Sequence, residues 1–128
     1  MNSQKIIVDT DILIDFLRHK VEAKTLLEEA AQGHDLYLSV MTIAELMAGM
    51  RPAETEATET LIAGFTLLPV TETIARHGGA LRRKIASSKS LLIDCLIAAT
   101  ALAEDCLLLT HNRKDYVTSG VKFYPGTH

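Results

Sequence analysis

Four short apolar runs, separated by stretches of helical periodicity, constrain this chain more than any other feature. The strands expected over residues 5–9, 36–39, 66–70 and 107–110 each hold consecutive apolar residues rather than an alternation, as strands covered on both faces must. Between them the apolar spacing predicts helices over 12–18, 22–32, 41–50, 72–86 and 91–104, and one that begins at Pro52 and reaches about residue 63. A last short strand is expected over 122–124. Strands that alternate with helices imply a mostly parallel sheet, so the expected fold is a three-layer α/β/α sandwich.

The sequence has 128 residues, 48% of them hydrophobic and 23% charged, which suits one domain spanning residues 1–128. No repeat, low-complexity tract or linker divides it. The longest stretch without a formal charge, residues 60–71, is shorter than the roughly 20 residues a bilayer span needs. The first residues carry no secretory h-region, so a cytoplasmic protein without membrane attachment is expected. Cys95 and Cys106 are two, far apart and set in apolar runs, where cysteine acts as a small hydrophobe.

Three acids sit where an apolar pattern should exclude them. Asp9 ends the run Ile6, Ile7, Val8, on the strand edge where parallel sheets form ligand crevices. Glu45 interrupts the helix over 41–50. Asp94 is the only ionisable side chain between Leu91 and Ala103, in a helix apolar nearly all round. A lone buried carboxylate costs several kcal/mol unless it is neutralised, hydrogen-bonded or given a cation. Structural roles compete with this reading. Asp9 could cap the helix that follows, although Asp11 is the better cap candidate; Asp15 reads as solvent-facing; Glu45 could pair with Arg51 or Lys24. Ser90 is the expected cap of the helix at 91, which leaves Asp94 without a structural task. A fourth acid, Asp115, follows the strand ending at Thr110 and so shares the edge of Asp9 if those two strands are neighbours.

Carboxylates held within about 4–6 Å of one another raise each other's pKa or recruit a cation. Oxygen donors without a Cys or His cluster favour Mg2+ or Mn2+ over zinc. Such a site suits phosphodiester hydrolysis, in which an ion activates the attacking water and stabilises the leaving oxygen. Thr10, Thr42 and Asn112 could orient ligands or water around it, although each is also a common cap or turn residue. The net charge is −3, but residues 60–93 carry one acid and five bases. Arg76, Arg82, Arg83, Lys84 and Lys89 therefore form either a solvated helix face or a patch that contacts RNA phosphates.

DTDILIDFL (9–17), TIAEL (42–46), LLIDCLIAATAL (91–102) and LLLTHNRKDY (107–116), in this order and spacing, resemble the PIN-domain nucleases, and the chain length resembles that of the VapC toxins of toxin-antitoxin operons. The resemblance implies that Asp9, Glu45, Asp94 and Asp115 are catalytic acids that bind Mg2+ or Mn2+, with Thr10 and Asn112 nearby. It also implies endoribonuclease activity on structured RNA such as tRNA, a homodimer, and inhibition by a small antitoxin protein. Two positions depart from the pattern. Asp11 stands where such toxins often have Asn, adding negative charge near the site, and His111 stands where many have Arg, which invites a general-acid reading. A PIN-domain nuclease with a housekeeping role in RNA processing is the alternative. A phosphoacceptor signalling domain shares the fold class, but its middle strands should end in an acceptor Asp, and here they run into Ser39-Val40 and Val70-Thr71.

Overall fold

A computed structural model describes residues 4–85 and 91–126. In chain order the elements are β1 (Lys5–Val8), α1 (Thr10–Leu17), α2 (Val21–Ala31), β2 (Asp35–Ser39), α3 (Val40–Gly49), α4 (Thr55–Ala63), β3 (Thr66–Leu68), α5 (Glu72–Lys84), α6 (Leu92–Ala103) and β4 (Leu107–Leu109). The four strands form one sheet in the order β3-β2-β1-β4, and every pairing is parallel. Ile6 pairs with Leu36 on one side and Leu107 on the other, so β1 is central and β4 is its neighbour.

Helices cover both faces, as the continuous apolar strands require. Side chains alternate across β1: Ile7 joins a core with Ile74, Leu81, Ile97 and Leu108 beneath α5 and α6, whereas Ile6 and Val8 join Ile12, Leu13, Leu27 and Leu46 beneath α1, α2 and α3. α5 and α6 cross closely. A Cβ on Gly78 would stand 2.6 Å from Leu96 Cδ2 and 3.2 Å from Leu96 Cα, so the absence of a side chain is what permits the approach. Both cysteines are buried and free. Among the described residues, no helix is long and apolar enough to cross a membrane.

The departures from the expected elements are local. α1 starts two residues early because Asp9, not Asp11, is its N-cap: the Asp9 side chain accepts a hydrogen bond from Thr10 N. Pro52–Glu54 forms a 3-10 turn before α4 rather than its first turn, and β3 ends at Leu68. In place of the expected last strand there is one bridge, Leu108 to Phe123. Ala86, Lys89 and Ser90, including the expected cap of α6, lie outside the described residues. Leu91 holds the N-cap position of α6, and its N–H donates to Asp94 Oδ2 at 3.3 Å. Asp94 thus has the structural task that its sequence context did not suggest.

Candidate active site

Because β1 and β4 are parallel neighbours, Asp9 and Thr110 leave the sheet at the same carboxyl edge, and Asp9 N donates to Leu109 O at 2.9 Å. Asp9 is only 6% exposed. Its Oδ1 accepts Thr10 N at 2.9 Å, and its Oδ2 accepts the Thr110 hydroxyl at 2.8 Å and the Tyr116 hydroxyl at 2.9 Å. The same Tyr116 hydroxyl lies 3.3 Å from Asp94 Oδ1, so carboxylates 85 positions apart meet on one phenol. Thr10 links a third acid. Its hydroxyl donates to Glu45 Oε1 at 2.6 Å and lies 3.3 Å from the Thr42 hydroxyl. Asp115, in a 3-10 turn after β4, is close enough for its charge to act on Asp94.

Burial pushes the Asp9 carboxyl up to about 7; the Asp11 charge adds to this, and three hydrogen bonds oppose it. Burial also raises Asp94, with Asp115 adding to the rise, and it keeps Tyr116 far above the ordinary tyrosine range. No arginine or lysine pairs with Asp9 or Asp94 among the described residues. Nor does an ion pair join Glu45 to Lys24 or Arg51; Lys24 turns to Glu28, and Arg51 N donates to Glu54.

Asp11 clamps the segment that follows β4. Its Oδ2 accepts the Thr110 hydroxyl at 3.4 Å, His111 N at 3.1 Å and Asn112 Nδ2 at 2.8 Å, while its Oδ1 is buried without a partner. Burial raises its carboxyl, and His111 opposes the rise. Asp15 is not solvated alone as expected: it lies 3.3 Å from Lys20 Nζ and 3.3 Å from His111 Nε2. The site thus has two hydroxyl clusters, Tyr116 and Thr110 with Asp9 and Asp94, and Thr10 and Thr42 with Glu45, joined by Thr10 N on Asp9, with Asp115 acting on Asp94 and Asp11 and Asn112 at its flank. Tyr116 and Thr110 are the residues that sequence reasoning missed. Both lie in the segment LLLTHNRKDY, and the only signal for Tyr116 was an aromatic beside Asp115.

The basic helix is divided. Arg76 pairs with Glu72 at 2.8 Å, one turn away on the exposed face of α5. Arg82, Arg83 and Lys84 fill the last turn of α5, and the Arg82 charge reaches Cys95, next to Asp94.

Among the described residues, no three Asp, Glu, His or Cys side chains already stand as a finished ion cage; a hydroxyl joins Asp9 and Asp94 instead. The donors are nonetheless all oxygens, and Asp9 lacks a cationic partner. This set suits a hard divalent cation.

Residues 6–118 match the PIN domain family. Ribonuclease VapC10 of Mycobacterium tuberculosis is 43% identical over 109 residues, covering 84% of this chain and 82% of that protein. Ribonuclease VapC19 of the same organism is 39% identical over 113 residues, covering 86% of this chain and 90% of that protein. Among solved structures, a toxin-antitoxin complex from Klebsiella pneumoniae superposes with a TM-score of 0.79 at 29% identity, over 96% of this chain and 99% of that one.

Proposed function

Since the chain belongs to the PIN-domain family, we propose that it is a divalent-metal-dependent endoribonuclease and the toxin of a toxin-antitoxin pair. The observation that carries this reading is the meeting of Asp9 and Asp94 on the Tyr116 hydroxyl, at a buried sheet edge with no cation of the protein's own. Asp9, Glu45, Asp94 and Asp115 are the residues that would hold Mg2+ or Mn2+. A bound ion lowers the pKa of an attacking water and stabilises the leaving oxygen of a phosphodiester.

The chain's own residues prepare that chemistry. Thr10 and Thr110 fix the Asp9 rotamer, and Thr10, braced by Thr42, orients Glu45. Asp11, with Asn112 and His111 N, holds the segment leading to Asp115. Arg82, Arg83 and Lys84 offer positive charge to the backbone of an RNA substrate such as tRNA.

An antitoxin has a surface to occupy. Phe16, Leu27, Leu36, Ala57, Leu61 and Phe65 line an open apolar groove between α1, α2 and α4. A neighbouring cleft shares Phe16, Ala53 and Ala57 with it, and a small pocket beyond Leu17 and Glu54 is lined by Glu45. The Klebsiella complex, itself a toxin-antitoxin assembly, supports this reading. A homodimer, as the resemblance to the VapC toxins implies, and a cytoplasmic location complete the proposed reading.

The test is incubation of the purified chain with total RNA. Cleavage with Mg2+ or Mn2+ that a chelator abolishes is the expected result. Cleavage that survives chelation, or none with either ion, contradicts the reading.

A further inference from the structure

The Tyr116 hydroxyl is the only group among the described residues hydrogen-bonded to both Asp9 and Asp94. From this we infer that Tyr116 is a positioning residue, whose hydroxyl couples the two carboxylates into one preorganised pair. The inference rests on the divalent-ion reading above and concerns how the chain makes that site.

A carboxylate offers about four lone-pair positions. On Asp9 three are engaged, by Thr10 N, the Thr110 hydroxyl and the Tyr116 hydroxyl, which leaves one on Oδ1. Thr10 N and Thr110 come from positions next to Asp9 in sequence or in the sheet, and neither is hydrogen-bonded to Asp94. Among the described residues, Asp94 is hydrogen-bonded only to Leu91 N at 3.3 Å and to Tyr116, on a helix start whose Leu91 and Leu92 side chains are 58% and 51% exposed. Without the phenol, no hydrogen-bonding group among the described residues links Asp94 to Asp9.

The phenol itself cannot swing away. Its residue is 2% exposed, packed with Ile97, Leu108 and Val121, and its backbone N donates to Arg113 O at 2.9 Å. Phenylalanine fills the same space, so the hydroxyl is not needed to pack the core. Its burial is tolerable because its one proton always has a carboxylate acceptor, Asp9 Oδ2 at 2.9 Å, with Asp94 Oδ1 at 3.3 Å on the same oxygen.

The experiment measures Mn2+ binding, without RNA, to the wild-type chain and to the Tyr116→Phe and Thr110→Val variants, by calorimetry and by the electron paramagnetic resonance of free Mn2+. Thr110→Val removes the other hydroxyl from Asp9 Oδ2, together with its contacts to Asp11 and Asn112 N, but touches no Asp94. Tyr116→Phe is expected to weaken the dissociation constant by about 10- to 100-fold, more than Thr110→Val does, with saturating Mn2+ restoring most of the RNA cleavage. An unchanged constant for Tyr116→Phe, or a loss no greater than that of Thr110→Val, overturns the coupling role. A drop in melting temperature at an unchanged constant also overturns it, since that marks a purely structural hydroxyl. Absence of Mn2+ binding by the wild-type chain is a different failure, which removes the ion reading itself and this inference with it.

Discussion

The starts of α1 and α6 each place an aspartate on the Tyr116 hydroxyl, but one start is closed and the other open. Asp9 caps α1 above a floor of fully buried Ile12 and Leu13, whereas Asp94 sits in the first turn of α6 after exposed Leu91 and Leu92 and before buried Cys95. A helix N-terminus stabilises a carboxylate by about 0.3–1 kcal/mol. Both carboxyls are nevertheless raised, and Asp9, the deeper one, reaches about 7. Desolvation therefore outweighs the dipole at both starts. The buried start supplies a rigid, proton-hungry anchor, and the open one supplies a second acid within reach of solvent and substrate.

Replacing each acid by its amide separates the two roles. Asp9→Asn and Asp94→Asn are both expected to reduce RNA cleavage by about a thousandfold or more, because each removes an anion that would hold the ion. Their effects on stability should differ. Asp9→Asn relieves a buried charge and raises the melting temperature of the metal-free protein at pH 8, while Asp94→Asn leaves it nearly unchanged. Thermal melts that shift equally for both variants would erase the distinction between the starts.

pH sharpens it further. A carboxyl raised from 3.8 to about 7 on folding keeps a proton that the unfolded chain has already lost, so the folded state binds more protons in that window. Stability of the metal-free protein should therefore fall as pH rises from about 4 to 7, by up to about 4 kcal/mol. Urea unfolding across that range measures it, and Asp9→Asn should flatten the slope. A wild-type slope of zero or opposite sign contradicts the burial argument.

Two smaller effects concern the α6 side. Gly78→Ala places a methyl against Leu96 and should cost about 1–3 kcal/mol by overpacking the α5/α6 crossing; a stability equal to wild type means the helices separate freely. Arg82→Ala with Arg83→Ala should flatten the salt dependence of RNA binding by about one unit per lost phosphate contact. An unaltered slope returns that turn to solvation.

The sheet and its carboxyl edge were legible because continuous apolar runs admit few other folds, and Asp9 stood out because nothing apolar explains it. Asp94 was legible as an anomaly but for an incomplete reason: its helix start is open, and the Leu91 N–H is a local acceptor-seeking group that residue types alone do not reveal. Asp9 makes the cap expected of Asp11 because either can cap a helix, and the strand register decides which one ends the strand. Tyr116 was hidden because an aromatic after a strand reads as core, which it is; only its hydroxyl, carried across from β4 to α1 and α6, has a second task. The expected strand at 122–124 shrank to a bridge because the segment meets β4 at a single pair.

Carbon-13 NMR of the Asp9 side-chain carboxyl, titrated from pH 3 to 9 with and without Mg2+, tests the central claim most directly. The account predicts a midpoint of about 7 without the ion and a large downward displacement with it. A midpoint near 4 in the ion-free protein, or one that Mg2+ leaves in place, would contradict it.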